Sequence, residues 1–138
     1  MKKGKIALLA FILAAVALAA LLVRNGTEAS TGQAAPAAVV LPAAFSDQAK
    51  MGERVFNAVC AACHGAAAAG TDVGPPLVHR IYEPSHHGDH AFEMAVANGV
   101  RAHHWTFGDM PPQPALTRAD LNTVIAYIRE LQRANGIQ

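Results

Sequence analysis

Cys60-Ala61-Ala62-Cys63-His64 sets two thiols and an imidazole within one short run, and these are the two cysteines of the 138-residue chain. At this spacing the thiols add to the vinyl groups of a haem as thioethers, and the imidazole that follows is held beneath the iron as its proximal ligand. The same residue types serve a disulfide or half of a zinc site. A structural zinc site takes four ligands, however, and no further cysteine exists; a thioredoxin-like dithiol belongs in a βαβ context that the sequence lacks. The motif therefore points to one haem c, covalent through Cys60 and Cys63, with His64 on the iron.

What fills the far side of that iron separates an electron carrier from a haem that binds small molecules. Of the methionines, Met1 initiates, Met51 precedes the motif and Met94 falls within a short helical pattern. Met110 follows Gly108-Asp109 and precedes Pro111-Pro112, which keep the backbone extended and stop a helix from continuing. A rigid loop there can present sulfur to the iron, 46 residues after His64. Histidine competes with it: His79, His86, His87, His90, His103 and His104 are dense for so short a segment. His86-His87-x-x-His90 and His103-His104 also suit a separate copper or zinc site, although adjacent histidines on one helix or strand face different ways. The plainer reading makes them partners of haem propionates or of one another at the surface.

From about Ser46 to the end the chain resembles the small class I cytochromes c, of the membrane-anchored bacterial type. The resemblance is carried by Cys60-Ala-Ala-Cys-His64-Gly65, Gly74-Pro75-Pro76-Leu77, Met110-Pro111-Pro112 and a C-terminal helix with Tyr127. It implies an all-α fold of three to four helices around the haem, six-coordinate iron with Met110 opposite His64, and electron transfer rather than enzymatic turnover. It further implies that the Pro75 carbonyl takes the second ring N–H of His64, that Leu77 packs on the haem face, and that Gly52 and Phe56 meet the C-terminal helix near Tyr127. The stretch Arg101–Gly108 lengthens the family's shortest pattern. Trp105 within it is read as covering a haem edge, with its indole N–H or Arg101 on a propionate, or equally as a plain core residue.

These residues need elements to position them. Ser46 caps a helix with Asp47 in its first turn, and Gly52, Val55, Phe56, Val59 and Cys63 recur at helical spacing. Gly88-Asp89 starts a second helix that Gly99 stops. Thr117, with Asp120 three residues on, opens the clearest helix, striped by Leu121, Val124, Ile125, Ile128 and Leu131.

Ahead of this domain, at 46–138, stand two segments of different character. Lys2, Lys3 and Lys5 precede an uncharged apolar run, Ile6–Val23, about 27 Å long as a helix and close to a hydrocarbon core. Residues 1–23 are read as an uncleaved transmembrane anchor in preference to a signal peptide, despite a small-x-small site at Ala17-Leu-Ala19. The lysines place the N-terminus in the cytoplasm and the haem domain in the periplasm. Residues 24–45, rich in Ala, Pro, Gly, Ser and Thr, are read as a linker spanning about 25 Å when relaxed and roughly 70 Å when stretched. From Ser46 on there are seven Lys and Arg against nine Asp and Glu, and no basic patch that would suit nucleic acid. The sequence thus describes a tethered monohaem carrier exchanging single electrons with redox proteins, membrane complexes among them, and acting on no small-molecule substrate. A haem enzyme or gas or peroxide sensor with a displaceable sixth ligand, or a subunit of a larger oxidase or dehydrogenase, is the alternative.

Overall fold

Two helices that cross at a glycine organise the domain in the computed structural model, which describes residues 38–138. The proposed membrane segment, 1–23, and most of the linker lie outside the described residues. Among the described residues no helix is long and apolar enough to cross a membrane, and there are four α-helices, two 3-10 turns and no strand beyond one isolated bridge.

Helix α1, Asp47–Val59, begins as its sequence dictates: the Ser46 hydroxyl accepts from the Ala49 N–H, and Asp47 sits where the helix dipole favours a negative charge. Ala49, Gly52 and Phe56 form its buried face. Val59, expected on that face, is exposed. The chain departs from ideal helix at Cys60 (φ −103°, ψ −33°), and the short helix α2, Ala61–His64, continues from there. Helix α3, Asp89–Asn98, runs from Gly88 to Gly99, whose φ of 76° reverses the chain. Helix α4, Arg118–Ala134, opens on a complete capping box between Thr117 and Asp120.

The core lies between α1 and α4. All five residues of the expected α4 stripe are buried, and Tyr127, expected beside it, sits at its centre between Phe45 and Phe56, with ring centroids 5.2 and 5.5 Å away. A Cβ on Gly52 would stand 1.9 Å from the Thr123 carbonyl oxygen, so backbone meets backbone there.

The end of the linker is not free chain. Val40 and Asn135 exchange two hydrogen bonds of 2.9 and 2.8 Å, Phe45 packs on Tyr127, and Ser46 donates to Glu130 through its hydroxyl (2.6 Å) and its N–H (3.0 Å). The described residues 38–45 thus lie along α4. The boundary drawn at Ser46 came from composition, which carries no trace of partners 84 to 95 residues away.

A buried cation closes the other side. Arg129 is 8% exposed. Its guanidinium donates to the Asp89 carboxylate (2.8 Å), to the carbonyls of Tyr82 (2.7 Å) and His87 (2.6 Å) and to the Gln132 side-chain oxygen (2.6 Å), and it lies 4.9 Å from the Phe92 ring centroid. Gln132 in turn donates to the carbonyls of Leu77 and Tyr82. Arg129 and Gln132 thereby fasten the irregular segment 77–89 to α4. Arg129→Met keeps the packing and orphans these acceptors, so it should cost about 2–3 kcal/mol, less than a fully buried pair because Asp89 is solvated. Denaturant unfolding of the haem-loaded protein checks this, and a loss below about 0.5 kcal/mol would remove the latch.

Candidate haem site

His64 closes α2, and its Nδ1 lies 2.9 Å from the carbonyl oxygen of Pro75. Donation from Nδ1 fixes the tautomer in which Nε2 carries the lone pair, the form a metal needs. Burial pushes the His64 pKa below the ordinary histidine value, more than the bond to Pro75 restores it, so the ring favours its neutral state.

The carbonyl is brought there by a tight return of the chain after the motif. Gly65, at φ 74°, leads into the 3-10 turn Ala66–Ala68, and the Gly70 N–H bonds to the His64 carbonyl (2.7 Å). The Thr71 hydroxyl bonds to the Cys63 carbonyl (2.6 Å), and a Cβ on Gly74 would stand 2.6 Å from that same oxygen. Gly74-Pro75 can therefore lie on the motif only because residue 74 has no side chain. Cys63 is exposed and Cys60 half-buried, and no disulfide joins them. Burial, with a smaller contribution from Cys63, pushes the Cys60 thiol up to about 11.

Met110 is held from the other end of the domain. It exchanges two backbone hydrogen bonds of 2.9 Å with Val100, an antiparallel pair at the neck of the loop 101–109. Gly99 makes the neck possible, since a Cβ there would lie 2.5 Å from the Met110 carbonyl oxygen. The loop is closed further by the Asp109 carboxylate, which accepts from the Ala102 N–H (2.8 Å).

His64, Pro75 and Met110 all line one cavity of about 410 Å³. Its walls are largely apolar, with Ala91 and Ala95 from α3 and Val100, Trp105 and Phe107 from the neck and loop. An imidazole biased to its neutral form and a thioether on the walls of an apolar cavity, with the Cys60–Cys63 pair directly before that imidazole in the chain, are the donor set and surroundings that a covalent haem requires, so the residues fit the group.

Of the expected site residues, Trp105 lines the cavity with His64, Pro75 and Met110, and Cys60, Cys63 and Leu77 do not. Leu77 belongs to the buried core with Phe56, Tyr127 and Leu131 and is not among the cavity's lining residues; its N–H bonds to the Ala68 carbonyl and its own carbonyl to Gln132, which turns the side chain inward. Trp105 does line the cavity, but its indole N–H donates to the Tyr82 hydroxyl (3.1 Å), so that donor is committed within the protein. Arg101 is exposed. Tyr82 lines the cavity without a counterpart in the sequence reading; His87, one of the competing histidines, and Met94, assigned to a helical pattern, line it as well. Met94 has the helical spacing of a core residue, yet it is 46% exposed and its sulfur accepts from the Asn98 amide at 3.8 Å.

The histidines divide. His90 pairs with Glu93 (3.1 Å), and His79 accepts from the Ile81 N–H. His86, His87 and His104 converge. Partial desolvation, then His103, His87 and His86 nearby, holds His104 below the ordinary histidine value and favours its neutral form.

Comparison with known proteins agrees with the geometry. The profile of the family described as cytochrome c matches residues 49–132. No curated protein matches the chain. Among solved structures the chain is similar to cytochrome cL from the marine methylotrophic bacterium Methylophaga aminisulfidivorans, at 24% identity over 75% of this chain and 70% of that one, with a TM-score of 0.46. A profile matching most of the chain, over the segment that holds the C-x-x-C-H motif, decides the matter: this chain belongs to the cytochrome c family, carries haem c through Cys60 and Cys63, and moves electrons.

Proposed function

We propose that the chain is a monohaem electron carrier with His64 and Met110 as its axial ligands, tethered to the bacterial inner membrane by residues 1–23. Its haem domain faces the periplasm and passes single electrons between redox proteins, membrane complexes of a respiratory chain among them. The observation that carries this reading is that both axial donors are fixed by the protein itself. Pro75 holds the His64 ring, the Val100 pair holds Met110, and both residues line one apolar cavity. The anchor is supported by Lys2, Lys3 and Lys5 ahead of the run Ile6–Val23.

Bound haem supplies an iron that changes oxidation state by one electron. The chain's own residues do the rest. Pro75 keeps Nε2 of His64 available and raises its basicity by accepting the hydrogen bond of the other ring N–H. The neck at Val100 and Met110 keeps the thioether in place through backbone bonds that a change of charge nearby does not break. Ala91, Ala95 and Phe107 give the cavity apolar walls, and an apolar wall favours a smaller net charge on what it contacts. Donors that stay in place keep ligand exchange from competing with electron transfer.

The test uses the full haem-loaded chain recovered from membranes. The oxidised protein should show the weak far-red band of methionine sulfur on ferric iron, and the reduced protein should take up little carbon monoxide. Ready and saturable carbon monoxide binding would overturn the carrier reading in favour of a ligand-binding haem. Recovery in a soluble periplasmic extract would remove the anchor and leave the carrier reading standing.

A further inference from the structure

The six histidines outside the haem motif leave one arrangement that electron transfer does not use. His86, His87 and His104 each offer an imidazole nitrogen, and the three nitrogens lie within 4.8 Å of one another. His86 and His87 are brought to one side by a turn, in which both of their backbone N–H groups bond to the Glu83 carbonyl (3.0 and 2.8 Å). The expectation that adjacent histidines diverge holds for helices and strands, and this segment is neither. His104 reaches the pair from the loop 101–109.

From these residues we infer that His86, His87 and His104 form a binding site for a divalent late first-row cation of the Zn(II) type, separate from the haem iron. The spacing fits the ion. Imidazole nitrogens bind zinc at about 2.0–2.1 Å, and the edge of a tetrahedron of that size is about 3.4 Å. His86 Nε2 and His104 Nε2 are 3.4 Å apart, already at that edge and too far for a good hydrogen bond between them. His87 is prepared as well: its Nδ1 lies 2.5 Å from the Ile81 carbonyl oxygen, which fixes the tautomer with Nε2 free. The His87 nitrogen lies within 4.8 Å of those of the other two rings, and His86 and His104 are exposed.

The ligand chemistry sets the class of ion. Three imidazoles with no carboxylate and no thiolate suit zinc and copper and do not suit calcium or magnesium. Three protein nitrogens leave the fourth position for water. His90 has its own carboxylate partner and stands outside the group, which makes it a control. His87 and His104 also line the cavity while His86 does not, so the site straddles the cavity rim. Propionate binding by the same rings is the rival explanation, and only the haem-loaded protein separates the two.

The experiment adds Zn(II) to the haem-loaded full chain, removes excess by desalting and counts metal per haem. One zinc per haem is expected, falling more than tenfold in His86→Ala and in His104→Ala and unchanged in His90→Ala, with the haem spectrum reporting that each variant is folded. No retained zinc in the parent, or equal retention in His86→Ala and His104→Ala, would overturn the site. X-ray absorption at the zinc edge of the loaded parent needs no variant: three imidazole nitrogens at about 2.0 Å are expected, and a shell with fewer than two would equally overturn it.

Discussion

Gly52→Ala should destabilise the haem-loaded protein by about 4 kcal/mol or more and should lower the yield of folded protein. The sign is the informative part. In the middle of a helix, alanine ordinarily improves on glycine by about 1 kcal/mol, because it restricts the unfolded chain and packs against its own turn. Here the added methyl would enter the space of the Thr123 carbonyl, 1.9 Å from the oxygen and 2.4 Å from its carbon. Neither atom can rotate away, since both belong to the α4 backbone. Relief requires α1 and α4 to separate by more than an ångström along the seam where Phe56, Tyr127, Ile128 and Leu131 interdigitate, and interiors packed at crystal density do not give that cheaply. The measurement is a denaturant midpoint with an unchanged slope. A variant within about 1 kcal/mol of the parent would mean that the helices do not cross this closely.

That crossing shows how far the sequence could be read. Gly52 and Phe56 drew notice through a family likeness, and Tyr127 likewise; periodicity by itself makes Gly52 an ordinary weak point in a helix. Helix ends were legible because their signals are local: Ser46 before Asp47, Gly99 after Asn98, and Thr117 with Asp120 each act within one turn. Arg129 was not legible. A charged residue on an amphipathic helix normally marks the solvated face, and it is buried here only because the carbonyls of Tyr82 and His87, far away in sequence, satisfy its donors. Position offered one clue, since Arg129 falls four residues after Ile125 and three before Gln132 on the buried face. The core position of Leu77 was not legible for a related reason: its backbone is tied to Ala68 and to Gln132, 55 residues away, and the run Gly74-Pro75 carries no sign of either tie. The turn that gathers His86 and His87 carries no local signal in the sequence; it closes on the Glu83 carbonyl, and a loop partner 18 residues further on completes it.

Met110→Ala should abolish the far-red band of the oxidised protein, admit carbon monoxide to the reduced one and lower the reduction potential by on the order of 0.1–0.2 V, a fraction of the ~0.8 V that axial ligation spans. The fold should survive, because the bonds that hold the neck run between the backbones of residues 100 and 110 and do not involve the side chain. The cavity residues make a second variant necessary. Met94 lines the same cavity from α3 and carries the same thioether, so a band alone does not say which sulfur produces it. The two methionines differ in how they are held. Met110 is fixed through both its N–H and its carbonyl by Val100, with Gly99 close against that carbonyl. Met94 is an exposed residue whose sulfur already accepts from Asn98. A ligand that must stay on iron through both oxidation states belongs on the more tightly held backbone, so Met94→Ala should leave band and potential unchanged. Loss of the band in Met94→Ala and its survival in Met110→Ala would exchange the two assignments. A parent without the band would exclude both sulfurs and leave the iron to the cavity's remaining imidazoles, His87, His103 and His104.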